Sequence, residues 1–525
     1  MNYTQSLGSK KLGIFAIVTF KRSLYLIHRW FGIVMCTLIA MWFCSGVVMM
    51  YVGFPALTVQ ERLAGLPALD ASRLASAPTS MVMQVGADAL SRLRLTTVLG
   101  RPAFIATTKE DRHAVWFADS GDPLAQVTAE DALHASQHYL RNSQHLEAIS
   151  GSFAATRDMD QWTVSSSLNS HRPLHKIEID DAAGTHLYIS SHTGEIVRDT
   201  TRKERVWNWV GANLHWIYPL PLRRHASVWH WVVVVMSLAG LVSVVTGGII
   251  GFLRLRWRNR YRGRDVTPYW GVMKLHHLVG LLSLPFLVTY VLSGLLSMNP
   301  WDVFTTKGHS RVSSHAYQGA FPTDHSGLRL SEIQSIVKRN PGVKEIDFYW
   351  LGGEFHPVVV FAPYEYRLAN ALPAMAIKKK ATRGILQSFE IGGQSVDFTE
   401  IRRLEEHDAY YYSHHDRWRP LPVYRFKAND SAQTWAYIDG RTGQWLRGLT
   451  QKQRWQRWLY NGLHSWDFGF LINRRPLWDI VVIALCSLGT FMSFTSVVIG
   501  FRRLRRSRAA SSKPDCGADA PKARS

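Results

Sequence analysis

His28-Arg-Trp-Phe-Gly32, with Ser45-Gly46 seventeen residues beyond the histidine, decides the fold because the pattern occurs twice: His276-His-Leu-Val-Gly280 is followed by Ser293-Gly294 at the same spacing. Two further landmarks repeat. Trp209-Val-Gly-Ala-Asn-Leu-His215 is answered by Trp458-Leu-Tyr-Asn-Gly-Leu-His464, and Tyr188-Ile-Ser-Ser-His-Thr-Gly194 by Tyr437-Ile-Asp-Gly-Arg-Thr-Gly443. A shift of about 249 residues relates the copies, so the chain reads as a tandem duplication. Histidines beside apolar stretches survive in both halves.

Four segments carry no charged side chain for 22 residues or more: Trp30–Gln60, Ala226–Leu253, Leu275–Trp301 and Ile480–Phe501. About 20 apolar residues at 1.5 Å each cross a hydrocarbon core, so each is long enough to span. The first is too long and too bulky at its outer end for a signal peptide and reads as an uncleaved anchor. Orientation follows from the basic residues. Residues 1–23, the connector 254–274 and the tail after Phe501 together carry sixteen of the net +22 charges. Such excess marks cytoplasmic segments, so the high charge is a topology signal and the reading as a nucleic-acid binder loses most of its support. The lobes between the spans then lie outside, in the periplasm of an inner (plasma) membrane protein. Cys36, Cys44, Cys486 and Cys516 all fall outside the lobes, which excludes lobe disulfides and a thiol-based site there.

The expected architecture is an α-helical membrane protein of four spans in tandem repeat, with two periplasmic α+β lobes. Its segments are a cytoplasmic N-terminus (1–23), a first span (24–54), lobe one (55–202), an interfacial helix (203–216) and a second span (226–253). A basic loop (254–274), a third span (275–299), lobe two (300–451), a second interfacial helix (452–465), a fourth span (477–501) and a basic tail (502–525) complete it. In lobe one, Thr128-Ala-Glu-Asp131 predicts a capped helix through Leu140; in lobe two, Ser331-Glu-Ile-Gln334 predicts one ending at Asn340-Pro-Gly342. Strands are expected at Ile346–Leu351 and Pro357–Phe361 around a Gly352-Gly353 turn. The tryptophan-rich, basic segments Lys203–His215 and Lys452–His464 suit helices lying on the outer membrane face.

On that topology His28 and His276 sit toward the cytoplasmic face, His215 and His464 toward the periplasmic one. Seventeen helical residues rise roughly 25 Å, so the two pairs bracket most of the bilayer. Facing imidazoles across a bundle are what a six-coordinate haem b requires, and two haems would carry electrons across. Gly32, Gly46, Gly280 and Gly294 leave room for close approach. An isolated interfacial histidine is more often an anchor, but matched positions in both halves favour ligation. His277 points about 100° from His276, so one of the two can face a haem, and the repeat register selects His276. His230 is a runner-up ligand whose counterpart is Asp479, and His225 reads as interfacial. Gly247-Gly248 suggests helix packing, Lys378-Lys-Lys380 a solvated loop, and His171/His175 or His414-His415 a minor chance of metal binding. Nucleotide fingerprints are absent, so electrons come from a separate donor, a flavin reductase or a quinol.

The His28-Arg-Trp-Phe-Gly motif with its Ser-Gly-Val-Val-Met-Met-Tyr end, the Thr-Gly-Glu195 turn, Leu275-His-His-Leu-Val-Gly280 and Leu463-His464-Ser-Trp resemble the PepSY-associated transmembrane family over nearly the whole chain. That resemblance implies an iron-regulated inner-membrane reductase of ferric siderophores or other ferric chelates, with haem b held by His28, His276, His215 and His464. Some relatives carry a cytoplasmic flavoprotein module, where this chain has a short basic tail. Two other readings compete: a non-catalytic sensor or regulatory module with histidines as packing anchors, and a siderophore or metal permease. Uninterrupted spans with polar groups at the faces argue against the permease.

Overall fold

The computed structural model describes residues 3–144, 150–256, 265–306, 313–413 and 418–511. Among the described residues, four helices are long and apolar enough to cross a membrane: Thr19–Met49 (the C-terminal part of a helix beginning at Tyr3), Ala226–Arg254, Gly271–Ser297 and Leu477–Arg505. The first stops at Met49, short of the expected residue 54, ahead of the Gly53-Phe-Pro55 stretch whose proline disfavours helix before it. The third begins four residues early, at Gly271, whose φ of +58° suits glycine.

These helices form a closed ring. The first packs on the second and fourth, and the third also packs on the second and fourth, so the first and third stand on one diagonal. Between lipid and bundle there is little hydrophobic driving force, and small residues permit the contacts instead. A Cβ on Gly489 would fall 2.6 Å from the Phe43 ring, which therefore closes on the fourth helix only because that residue is glycine. Mid-bundle, Met35, Ile39, Phe43, Leu287, Tyr290 and Val291 make an apolar plug.

Outside the bundle, β1 (Leu90–Val98), β2 (Arg101–Thr108) and β3 (His113–Phe117) come from the first half. From the second come β8 (Glu345–Asp347), β11 (Val358–Ala362) and β12 (Glu365–Leu368). They are one sheet, ordered β12-β11-β8-β1-β2-β3. The lobes expected as separate modules are thus joined through antiparallel β1–β8 pairing, Arg94 opposite Asp347 and Leu95 opposite Ile346. Charge fixes the seam. Glu345 takes Arg62 at 2.7 Å and Arg94 at 3.2 Å, while Arg94 also reaches Glu195 at 2.5 Å. Burial raises the Glu345 carboxyl, but Arg62, Arg94 and Arg92 outweigh it and hold it down at about 2.

Each half also has its own four-stranded antiparallel sheet. One is β4 (Gly151–Arg157), β5 (Leu174–Ile179), β6 (His186–Ser190) and β7 (Ile196–Thr200). The other is β13 (Phe398–Leu404), β14 (Val423–Ala428), β15 (Trp435–Asp439) and β16 (Trp445–Leu449). Both run in simple sequence order, and the Gly194 and Gly443 turns, at φ +68° and +76°, close the last hairpins. A helix covers each: Ala129–Gln144 through Ala132 and Leu140, Ala374–Ile391 through Ile377, Ile385 and Phe389.

The Thr128–Asp131 box forms, Asp131 N–H donating to Thr128 Oγ1 at 3.1 Å and Thr128 N–H to Asp131 Oδ2 at 2.9 Å. The Ser331 cap does not. The helix runs Leu330–Arg339 with Arg329 at its N-cap, and Gln334 instead donates to the Leu74 carbonyl at 2.8 Å, tying the halves together. Gly352-Gly353 does turn a hairpin, but between two-residue strands, β9 (Trp350–Leu351) and β10 (Glu354–Phe355). Lys378–Lys380 lie in the covering helix rather than a loop, with Lys380 paired to Glu354 at 2.6 Å.

Candidate functional site: two histidine pairs at the ends of the bundle

Each lobe hands the chain back to the bundle through a capped helix: Thr201 with Glu204 opens Arg202–Val210, and Thr450 with Gln453 opens Gln451–Gln456. Neither continues straight to its histidine. Gly211 breaks the first, where a Cβ would sit 3.1 Å from Val48, before Ala212–His215. The second passes through a π-helical turn, Arg457–Gly462, before Leu463–Ser465. Such insertions re-aim a helix, and π-turns recur at functional sites. Trp207, Trp209 and Trp455 remain exposed, whereas Trp458 turns into lobe two, its indole donating to the Tyr410 hydroxyl at 3.0 Å.

The four repeat histidines meet in two pairs. His28 and His276, on diagonal helices, have ring centres 6.4 Å apart; His215 and His464 have ring centres 6.0 Å apart. An imidazole nitrogen sits about 2.0–2.1 Å from its metal and the ring centre about 1.1 Å further back, so rings clasping one metal stand roughly 6.3 Å apart. Both separations fit that span.

Hydrogen bonds fix which nitrogen is free. His28 Nδ1 lies 3.0 Å from the Ser243 carbonyl, His215 Nδ1 3.1 Å from that of Trp42, and His464 Nδ1 3.2 Å from that of Tyr290. A carbonyl only accepts, so in each neutral ring Nδ1 carries the proton and Nε2 the lone pair. His276 has no carbonyl, but Thr495 Oγ1 stands 3.1 Å from its Nδ1 and spends its own proton on the Met492 carbonyl at 2.6 Å, so it too accepts. Among the described residues, no hydrogen bond engages Nε2 of any of the four. A ligand histidine held through its far nitrogen has this arrangement.

Ser45 and Ser293, at 3.1 Å from the His215 and His464 Nδ1 atoms, add a second acceptor in repeat register. Thr246, 3.5 Å from His28, does the same, and Ser496, 3.4 Å from His276, stands beside Thr495. Ser45 and Ser293 belong to the repeated motif; Thr246 and Thr495 lie outside it, although the same 249-residue shift relates them. Burial lowers the His215 imidazole to about 3, with His464 adding to the effect, and burial lowers His464 to about 4. Both rings are neutral at ordinary pH.

A cavity of about 410 Å³ surrounds the inner pair, lined by His28, His276, Gly32, Gly280 and the apolar faces of all four helices. Gly247 matters here beyond helix packing: a Cβ would fall 2.6 Å from His28 Cε1. At the outer pair, a Cβ on Gly46 or Gly294 would stand 3.5 Å from Cε1 of His215 or His464.

The other histidines do something else. His277 bonds Thr267 through Nδ1 at 2.7 Å and the Gly251 carbonyl through Nε2 at 2.9 Å, so both nitrogens are taken and it pins the basic loop to the second helix. His230 stands edge-on to Trp231 at 5.4 Å and joins neither pair; His225 occupies the N-cap position of the second helix, exposed and without a side-chain capping bond. His175 is spent on Thr156 and the Val127 carbonyl, and His171 stacks on His113 at 4.7 Å. Among the described residues, no cluster of three or more histidine, cysteine or acidic side chains could hold a metal ion. His414-His415 lies outside the described residues.

Four apolar helices, sheet-bearing lobes and paired histidines define a membrane-embedded α+β protein of a recognisable class. A family model for the PepSY-associated TM region matches residues 25–406, and the chain belongs to that family. No curated protein matches it.

Proposed function

We propose that the chain is an inner-membrane di-haem oxidoreductase, built as two copies of one unit, that passes electrons from a cytoplasmic or quinol donor to a ferric chelate at the lobe side. The observation that carries this reading is the meeting of four repeat-related histidines as two pairs, each ring fixed through Nδ1 with no hydrogen bond to Nε2 among the described residues. His28 and His276 would hold one haem b, and His215 and His464 the other. When bound, the haems supply one-electron carriers near the two membrane faces.

The chain's own part is positioning. Ser243, Thr246 and Thr495 orient the inner imidazoles; Trp42, Ser45, Tyr290 and Ser293 orient the outer ones. The apolar plug between the pairs keeps water and ions from following the electron. Each electron taken from the donor reduces one Fe(III) to Fe(II). The oxygen donors of a siderophore hold the harder ferric ion far more strongly, so reduction frees the iron. With the basic segments in the cytoplasm, the lobes face the periplasm and present the acceptor side.

The same plug disfavours a permease, since the midplane offers packed apolar side chains where a transported ion would need ligands. A dithionite-reduced minus oxidised spectrum of the purified chain, with haem quantified against protein, tests the reading. The expected result is a b-type α band at two haems per chain; a chain with no such band is no haem oxidoreductase.

A further inference from the structure

The inner site breaks the symmetry of the repeat, and the break sets which way a bound macrocycle faces. Arg254 and Arg503 are repeat-equivalent at the basic ends of the second and fourth helices. Arg254 is occupied: its Nε donates to the Tyr25 hydroxyl at 2.5 Å, and its guanidinium lies 5.1 Å from that ring's centre. The equivalent of Tyr25 is Met273, which offers Arg503 no acceptor. Arg503 lines the cavity rim with no hydrogen-bond or ion-pair partner among the described residues.

A second position differs the same way. Arg29 lines the rim, also unpaired among the described residues, and its equivalent is His277, whose nitrogens are both spent on structure. Both unpaired guanidinia thus belong to the neighbouring first and fourth helices, while on the second and third the equivalent side chains, Arg254 and His277, are held by internal hydrogen bonds. Resting on the haem reading, we propose that Arg29 and Arg503 bind the paired carboxylates of the inner macrocycle, turning its charged edge toward the first and fourth helices. Guanidinium is suited to this, being permanently charged and able to grip a carboxylate through two donors.

The test compares R29Q/R503Q with R254Q in the full-length protein. Removing a cation near the iron favours its more positive, oxidised state, so R29Q/R503Q is expected to lower the midpoint potential of one haem and leave the other unmoved. R254Q is expected to shift neither comparably. In haem-depleted protein, the inner site should take haemin about tenfold more tightly than its dimethyl ester, the loss expected for one charge-assisted hydrogen bond, and R29Q/R503Q should erase that preference. Equal potentials in all variants, or no discrimination by the wild type, overturns the clamp while leaving the two haems standing. A wild-type protein without haem overturns the functional reading itself.

Discussion

The inner and outer pairs each present two Nε2 atoms, by different means. His28 and His276 are part of the spanning helices, and a roomy cavity opens around them toward the basic end of the bundle. His215 and His464 come from outside the spans, on short segments that leave the lobes, and each ring is gripped twice, by a serine hydroxyl and a carbonyl of a diagonal helix. Tyr290 and Tyr460 also crowd His464, at 5.8 and 5.5 Å. The inner pair therefore depends on bundle packing, and the outer pair on the lobes and the seam that joins them. On the proposed function, the end that meets the ferric chelate is anchored to the lobes that the chelate would touch.

The strongest way to break the comparison is to remove one pair at a time. H28A/H276A should leave roughly half the haem and abolish reduction by the inner donor, because two ligands vanish from one site. H215A/H464A should also halve the haem, yet the remaining haem should still be reduced from the donor side while ferric chelate reduction is lost. Stopped-flow reduction followed at the α band separates the two. Equal residual acceptor activity in both variants would mean that the pairs are not in series.

Orienting groups should have smaller, unequal effects. His276 is the one ring of the four held by hydroxyls alone, so on the haem reading T495V should weaken inner haem retention by about 10–100-fold, the usual range for a group bonded to a ligand's far nitrogen. S45A leaves His215 bonded to the Trp42 carbonyl, and its effect should sit no higher than about the tenfold end of that range. Haem dissociation into apomyoglobin measures both, and a larger loss in S45A would reverse the inner–outer contrast. Glycines extend it. G247A must push His28 aside and should cost about 1–3 kcal/mol of overpacking at the inner site, whereas G46A meets His215 at an ordinary contact distance.

What could be read from the chain, and what could not, follows the range of each interaction. The spans and the Thr128–Asp131 cap are legible because charge-free length and a hydroxyl–acid spacing are local, and fixed spacing singles out the four histidines that meet in two pairs, their role as ligands staying with the proposal. The shared sheet is not legible. It depends on Arg94 meeting Asp347 across more than 250 residues, and nothing within Leu90–Val98 names its partner. His277 could be set aside by register, but its role waited on Thr267 and Gly251 arriving from two other segments. The interfacial helices look continuous in sequence because Gly211 and the π-turn act through ψ and ladder offset, to which residue periodicity is blind.

The finest distinction lies in how the paired rings are turned. His28 and His276 are inclined by 33°, His215 and His464 by 72°. Imidazole planes near parallel donate into one iron d orbital and split the pair; planes near perpendicular donate into both and leave them close in energy. The oxidised protein should therefore give two low-spin electron paramagnetic resonance signals, a rhombic one from the inner site and one of large, isolated g-maximum from the outer. H215A/H464A should delete the second and H28A/H276A the first. Two identical rhombic signals would show that binding swings the outer rings into line, and the contrast between the pairs would then rest on their supports alone.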